Sequence, residues 1–220
     1  MLVIVTGMQR EARIVGRGGE TVISGGDVTG LAGKIERAIA AGARAVVSTG
    51  ICGGLSSDLT VGSLVIADTI VAEGERIGAD ARWADELAAL LPHATRGTIA
   101  GSDTIVAAAA DKAALQRATG ALAADMESHV AAQVATAHGL PFAALRVVSD
   151  AADQSLPPAV ANALRPDGTP RLGAVLASVA AHPAQIPALI RTARDSERAF
   201  AELLRCLDRV GVAFACPYLG

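Results

Sequence analysis

The sequence predicts an α/β domain in which helices cover both faces of a central sheet. Short apolar segments alternate with amphipathic segments along most of the chain, and this alternation is typical of strand–helix units. The strand segments are apolar runs, such as 142–148, and runs of this kind predict strands that are covered on both sides. The chain has 220 residues, 51% hydrophobic but only 2% aromatic. We therefore expect one sizeable core filled by aliphatic side chains.

The expected elements of the first half alternate strand and helix, with glycines between them. Asp27 can cap the helix that follows the second strand, and the glycine-rich segment 50–54 is expected to be a loop. In chain order the elements are strand 1–6, a short helix from about Gln9, strand 20–24, helix 28–41, strand 43–49, the loop 50–54 and strand 63–71.

The second half continues the alternation and then becomes helical. We expect helix 84–91, strand 95–100, helix 111–119, helix 125–138 and strand 142–148. The proline-rich segment 157–170 is expected to be partly irregular. Because no repeat or linker appears, the sequence predicts a single domain over residues 1–220, in which 171–220 form a mostly helical carboxy-terminal extension broken at His182-Pro183.

Composition excludes several classes of protein. The formal net charge is -3, and no basic stripe interleaved with aromatics is present, so a nucleic-acid partner is not expected. Three cysteines do not form a disulfide framework, and the four histidines have no ligand-like spacing, so no metal is expected. No run approaches the ~18 apolar residues of a membrane span, and the apolar start 1–5 is too short for a signal peptide. We expect a soluble, cytoplasmic protein.

Two short segments place carboxylates at the edges of apolar runs. They are Asp125-Met126-Glu127 and Ser149-Asp150, separated by one expected helix and one expected strand. Such carboxylates should lie near each other at the rim of the sheet, where ligands of α/β sheets usually bind. Local roles explain the same residues, because Asp125 and Glu127 suit a helix start and Ser149-Asp150 suits a turn. The residues alone leave both interpretations open.

Two glycine-containing segments are further candidates for a ligand site. A strand–Gly–helix junction at Gly7 can bind phosphate at the helix start, but Glu11 would repel a phosphate unless Arg10 or Arg13 offsets it. In 50–54 the glycines let the backbone approach a ligand, although the segment is neither a dinucleotide fingerprint nor a P-loop. Cys52 within it is expected to be a small buried residue.

Six motifs follow one another in one order over about residues 1–155. They are Gly7-Met8-Gln9-Arg10-Glu11, Ser48-Thr49-Gly50-Ile51-Cys52-Gly53-Gly54-Leu55, Gly62-Ser63-Leu64-Val65-Ile66-Ala67, Gly101-Ser102-Asp103, Asp125-Met126-Glu127-Ser128 and Arg146-Val147-Val148-Ser149-Asp150. This order resembles the family of nucleoside phosphorylases and nucleosidases. The resemblance implies one three-layer α/β/α sandwich with a twisted mixed central sheet, assembled as a homo-oligomer, with a small-molecule nucleoside as partner. It implies no cofactor, with phosphate as a possible co-substrate.

The carboxy-terminal segments 156–158, 165–168 and 182–189 resemble the hopanoid-biosynthesis-associated branch of this family. That resemblance implies the release of adenine from adenosylhopane, a lipid-linked nucleoside, with at most peripheral membrane contact through the last helix or the tail 212–220. Packing of these segments on the core is the alternative. A methylthioadenosine- or futalosine-type nucleosidase and a non-catalytic nucleoside-binding protein are the other candidate functions.

The resemblance also implies roles for individual residues. Asp150 would face N7 of the purine and donate a proton, which a carboxyl group at an apolar strand end is expected to retain. Glu127 would accept hydrogen bonds from the ribose and Met126 would pack on the sugar. The backbone around Ile105 and Val106 would face the base. Further substrate contacts are expected at Ser149, Gly50 and Gly53.

The nucleophile distinguishes a hydrolase from a phosphorylase. Phosphorylases of the family carry arginines at the positions matched by Glu11 and Ser48, and Ser or Thr at that of Ile51; this chain has none of these. Glu11 instead matches the nucleosidase carboxylate that activates water. An acid and a base on opposite sides of the scissile bond is the arrangement of inverting glycosidases. We therefore expect hydrolysis rather than phosphorolysis, although Arg10 or Arg13 would be available for a phosphate.

Overall fold

A mixed sheet runs through the protein and is flanked by helices. The computed structural model describes residues 1–16, 21–24, 28–161 and 171–219, and the sheet contains eight strands over these residues. The strands are β1 (Leu2–Thr6), β2 (Thr21–Ser24), β3 (Ala45–Gly54), β4 (Leu64–Ala72), β5 (Glu75–Gly78), β6 (Thr95–Gly101), β7 (Ala123–Asp125) and β8 (Phe142–Asp150). The helices are α1 (Gln9–Val15), α2 (Val28–Ala40), α3 (Ala81–Leu90), α4 (Ala109–Thr119), α5 (Ser128–Ala137), α6 (Pro158–Ala161), α7 (Leu172–Ala181) and α8 (Ile186–Val210), with a 3-10 turn at Pro183–Gln185.

Five of the strands close into a ring. Strand β3 pairs in parallel with β1 and β8, and its last two residues pair antiparallel with β7. Strand β8 pairs antiparallel with β4, β4 pairs in parallel with β6, and β6 pairs in parallel with β7. The α/β class with a mixed sheet is confirmed. Pairing between β8 and β4 closes the ring, and local periodicity does not reveal it.

Each face of the sheet carries its own apolar cluster. Val3 and Val5 of β1 point to one side, where they pack with residues of α2 and α5. Leu2 and Ile4 point to the other side and pack with residues of α3 and α8. All four side chains are fully buried, and burial of such a side chain stabilises the fold by about 1.5–3 kcal/mol. Burial on both faces is the physical reason that these strands are continuous apolar runs.

The structure corrects several expected boundaries. The predicted loop 50–54 is the second half of β3, because β8 and β7 supply hydrogen-bond partners there that outweigh the poor strand propensity of glycine. The predicted helix 125–138 begins only at Ser128, after the short strand β7, and strand β5 was not expected. Asp27 and residues 162–170 of the segment expected to be irregular lie outside the described residues, whereas Pro158–Ala161 form α6.

The carboxy-terminal segment packs on the core. Helix α8 buries Phe200, Leu203 and Cys206, and Phe214 in the following segment is fully buried. The indole N–H of Trp83 donates a hydrogen bond to the Phe214 carbonyl at 2.7 Å. Among the described residues no single helix is long and apolar enough to cross a membrane; a bent pair formed by α7 and the segment Pro183–Val210 meets the length and composition criteria together.

Candidate active site

A cavity of about 580 Å³ opens where the strands β1, β3 and β8 end. One wall consists of residues at the ends of these strands or directly after them. Helix α8 forms part of another wall through Leu189, Thr192, Ala193 and Ser196. The predicted site residues that line the cavity are Glu11, Ile105, Val106, Met126, Glu127, Ser149, Asp150 and Gly53. Gly50 is not among the described lining residues, and its contact with substrate stays a prediction.

Glu11 is held by the backbone of two segments. One carboxylate oxygen accepts hydrogen bonds from the N–H groups of Gly7 and Met8, at 2.9 and 2.8 Å. The other oxygen accepts from the N–H of Ile51 at 2.7 Å. Glu11 therefore occupies the N–H groups that a phosphate at this helix start would use. Burial raises the pKa of Glu11, and the nearby Arg146 guanidinium only partly opposes this, so the carboxylate is a stronger base than an exposed one.

Glycines provide the space for the buried carboxylates. Gly50 has a φ of +144°, and a Cβ there would overlap the Glu11 carboxylate and lie 2.9 Å from Nη1 of Arg146. A Cβ at Gly7 would lie 2.8 Å from Cδ of Glu127. These close approaches mean that Gly7 and Gly50 leave room for protein carboxylates.

Arg146 is the centre of the carboxylate cluster, and sequence reasoning assigned it no role. Its side chain is fully buried, with Nε 2.7 Å from Asp125 Oδ2 and Nη2 3.3 Å from Glu127 Oε2. Nη2 also donates to the Ser48 hydroxyl at 2.6 Å. The available signal was a charged residue within the apolar run 142–148, since a buried charge in a strand requires partners. Burial disfavours the charged guanidinium, but the carboxylates outweigh this and raise the pKa of Arg146.

Asp125 and Glu127 have different surroundings. Asp125 Oδ1 accepts from the N–H groups of Glu127 and Ser128, at 3.1 and 2.9 Å. Asp125 thus stabilises the start of α5, as the local interpretation predicted, while its other oxygen faces Arg146. Glu127 makes no such hydrogen bond at the helix start. Burial raises the pKa of Glu127 to about 8; Arg146 opposes the shift, and Asp125 and Glu11 add to it.

Asp150 does not lie in apolar surroundings, which corrects the sequence-based expectation. Its Oδ2 contacts the ammonium group of Lys112, and its Oδ1 accepts a hydrogen bond from the Ser149 hydroxyl at 2.8 Å. Lys112 lies on α4 and is fully buried. Sequence reasoning missed Lys112, because a lone lysine in a helix carries no motif that points to a site.

Arg10 and Arg13 are not phosphate ligands in this arrangement. Arg10 binds Glu197 of α8, with Nη2 2.6 Å from Oε2, and its guanidinium lies 4.2 Å from the centre of the Phe200 ring. Arg13 is exposed on α1. Neither arginine is among the described residues that line the cavity.

The part of the cavity lined by Ile105 and Val106 carries a second polar pair. Asp103, which lines the cavity together with Ile105 and Val106, contacts Nε2 of His129 at 3.0 Å. A Cβ at Gly101 would lie 2.5 Å from Cγ of His129. In the described part of the chain no group of three His, Cys, Asp or Glu residues is arranged to hold a metal ion.

Residues 32–182 match the sequence model of the Phosphorylase superfamily. The chain belongs to this superfamily. The resemblance inferred from the six motifs is thereby confirmed at the level of the superfamily. A futalosine hydrolase of Streptomyces coelicolor is 37% identical over an alignment of 128 positions, and the match covers 48% of this chain and 53% of that protein. The aligned stretch therefore spans about half the length of that relative.

Solved structures of nucleosidases share the fold. An S-adenosylhomocysteine nucleosidase from Streptococcus pyogenes superposes with a TM-score of 0.71 at 19% identity, covering 97% of this chain and 95% of that one. A futalosine hydrolase of Helicobacter pylori superposes with a TM-score of 0.69 at 18% identity, covering 94% and 95%. At such identities the likeness shows the fold alone. The narrower resemblance to the hopanoid-associated branch gains no support from these relatives.

Proposed function

We propose that the protein is a nucleosidase that hydrolyses the N-glycosidic bond of a purine nucleoside. The observation that supports this most is that Glu11, Glu127 and Asp150 line one cavity. Breaking the bond between the sugar and the base leaves positive charge on the ribose and negative charge on the purine. Carboxylates around the sugar and a proton-delivering group at the base stabilise these charges as they develop.

Each residue has a distinct part in the proposed reaction. Glu11, whose pKa is raised by burial, takes a proton from the attacking water. Asp150 takes up a proton from water in the cavity and donates it to N7 as the electron pair of the broken bond moves into the purine. Glu11 returns the proton of the attacking water to solvent. Glu127 accepts hydrogen bonds from the ribose hydroxyls, and Met126 packs on the sugar. Ile105 and Val106 contact the base.

The charges around the cavity favour water over phosphate as the nucleophile. Five carboxylates line the cavity, those of Glu11, Asp103, Asp125, Glu127 and Asp150. Lys112 is the one cation among the described lining residues, and its ammonium already contacts three oxygen atoms. A phosphate dianion would therefore meet net negative charge and no available cation in this part of the chain.

The relatives favour a methylthioadenosine, adenosylhomocysteine or futalosine type of substrate over adenosylhopane. The wall formed by Leu156, Val160, Leu189 and Ala193 is apolar, and this suits an apolar substituent on the ribose 5' carbon. Helix α7 exposes Leu172 and Leu176, which are 68% and 69% accessible. Because these exposed leucines suit contact with a lipid, a lipid-linked nucleoside is the second candidate substrate. Adenosylhopane is therefore included in the same assay.

The test is a product assay on purine nucleosides with and without phosphate. We expect free base and free sugar at a rate that is independent of phosphate. Substitution Glu11→Gln should lower kcat by about 100-fold or more. Glu197→Gln is the matched control, since Glu197 is exposed and pairs with Arg10; it should leave kcat unchanged.

Other outcomes would contradict parts of the proposal. Strict dependence on phosphate, with a sugar 1-phosphate as product, would overturn the hydrolytic mechanism. Tight binding without turnover of methylthioadenosine, adenosylhomocysteine, futalosine or adenosylhopane would support a non-catalytic binding protein instead. Turnover of adenosylhopane alone would identify the lipid-linked substrate.

A further inference from the structure

We propose that Lys112 is a positioning residue that holds the Asp150 carboxyl group toward the leaving purine, an inference that rests on the proposed function. The Lys112 ammonium contacts Asp150 Oδ2 and donates to the carbonyl oxygens of Ala151 and Gln154, at 2.8 and 3.0 Å. An ammonium group has three donors. All three have an acceptor, so the group is fixed in one place.

Asp150 is restrained at both oxygens. Lys112 holds Oδ2, and the Ser149 hydroxyl donates to Oδ1 at 2.8 Å. The carboxyl group cannot rotate freely while both contacts last. The carboxyl group of Asp150 must lie within hydrogen-bonding distance of N7 of the purine. A carboxyl group that is already oriented before the substrate binds lowers the barrier of the reaction.

The residue type agrees with this role. The chain contains seventeen arginines and only two lysines, Lys34 and Lys112. A guanidinium is a planar fork with five donors, whereas an ammonium is a compact point charge. Three oxygens around one point match the ammonium, and a guanidinium there would leave buried donors without partners. Lysine at position 112 therefore fits its surroundings despite the strong preference of this chain for arginine.

A purely structural ion pair is the alternative. Lys112 connects α4 to the end of β8, and that connection by itself could order the segment 151–154. Buried ion pairs, however, often contribute little to stability compared with apolar residues of similar volume, because the charges lose their hydration. The position of the pair at the cavity wall, on the residue proposed to assist the leaving base, favours a role in the reaction.

The deciding experiment compares two leaving groups. A purine leaves readily only when N7 is protonated, whereas 4-nitrophenolate leaves without a proton. Lys112→Ala should lower kcat on the purine nucleoside by about 100-fold. On a 4-nitrophenyl riboside with the same 5' group the loss should be about threefold or less, since this reaction does not use Asp150. Lys34→Ala, at the other lysine, is the control and should leave both rates unchanged.

Two further measurements separate positioning from folding. Propylammonium, which replaces the atoms removed by Lys112→Ala, should restore turnover of the purine nucleoside, because Lys112 borders the open cavity. The double variant Lys112→Ala/Asp150→Asn should be no slower than Asp150→Asn alone, as expected when one residue acts through the other. If the alanine variant does not fold, Lys112→Met replaces it, because methionine keeps the side-chain volume. If wild-type protein does not cleave the nitrophenyl riboside, the double variant tests whether Lys112 acts through Asp150.

The outcomes distinguish this inference from the proposed function. Equal losses on both leaving groups, or additive losses in the double variant, would show that Lys112 is only structural. An unchanged purine rate in Lys112→Ala would overturn the inference while leaving the proposed function intact. Failure of wild-type protein to release base from any nucleoside would instead overturn the proposed function.

Discussion

Three buried carboxylates, those of Glu11, Asp125 and Glu127, surround the buried guanidinium of Arg146. If all three were ionised, at least one negative charge would lack a partner in a region with little water, which is costly. The raised pKa values of Glu127 and Glu11 relieve this cost. The cluster therefore binds a proton more tightly in the folded protein than in the unfolded chain.

This cluster predicts that the free energy of unfolding falls as pH rises from about 5 to about 8. The pKa of Glu127 is 4.5 in an unperturbed chain and about 8 in the folded protein, so the folded state binds more protons between these values. Stability is then fully present below the unfolded pKa and is lost as pH rises through the folded pKa, by on the order of a few kcal/mol.

Urea unfolding across this pH range measures the effect. Glu127→Gln should flatten the slope, because a neutral amide does not titrate. Glu197→Gln, at an exposed carboxylate, should keep the wild-type slope. A Glu127→Gln variant whose stability falls as steeply as that of the wild type would assign the effect to other groups.

At the scale of elements, β3 shows how tertiary pairing overrides local propensity. Glycines at 50, 53 and 54 make a strand unfavourable in isolation, yet β8 and β7 hydrogen-bond to this segment. Its glycines leave room for Glu11, Arg146 and Asp150. The strand can therefore carry backbone donors, such as the N–H of Ile51, directly to a buried carboxylate.

This arrangement predicts that Gly50→Ala damages activity far more than Gly42→Ala. Both glycines have positive φ, +144° and +101°, but a Cβ at Gly42 would meet nothing within 4 Å. Gly42→Ala should lower only the free energy of unfolding, through backbone strain of about 1 kcal/mol. Gly50→Ala causes the same kind of backbone strain, and its Cβ also displaces the Glu11 carboxylate. This variant should therefore lower kcat by about tenfold or more. Equal kcat in the two variants would contradict the role of Gly50 in placing Glu11.

At the scale of the whole molecule, the carboxy-terminal segment completes one face of the core. Helix α8 covers the sheet with Leu203 and Cys206, and the segment after it buries Phe214 against Trp83. The same helix contributes Leu189 and Thr192 to the cavity wall. The buried residues of this segment, such as Phe214, therefore pack on the core.

This packing predicts that removal of residues 212–220 changes the environment of Trp83, the only tryptophan of the chain. Trp83 is fully buried and would become hydrated, so its fluorescence should shift to the red and the Tm should fall. Tyr218→Phe removes the hydroxyl that bonds Asp80 at 2.9 Å but keeps the packing of the ring. This variant should change neither the Trp83 emission nor the Tm strongly. Unchanged emission after truncation would show that the tail does not cover Trp83.

Local patterns and chain-wide motifs predicted different parts of this protein. The apolar runs predicted β1 and β8, because burial on both faces demands them. The motif order placed Glu11, Glu127 and Asp150 in one site, and the structure brings them to one cavity. The roles assigned to these residues remain predictions. The loop expected at 50–54 was wrong, since glycine composition does not report which strands will pair with a segment.

The sequence by itself determined the α/β class, the carboxylates at the strand ends and the lack of arginines where phosphorylases carry them. Only the tertiary structure decided which groups surround those carboxylates. Glu11 meets Ile51 across 40 positions, Lys112 meets Asp150 across 38, and Arg146 meets Ser48 across 98. Periodicity reports whether a residue is buried. It does not report which distant residue becomes the partner, and in a buried site the partner decides charge, orientation and chemistry.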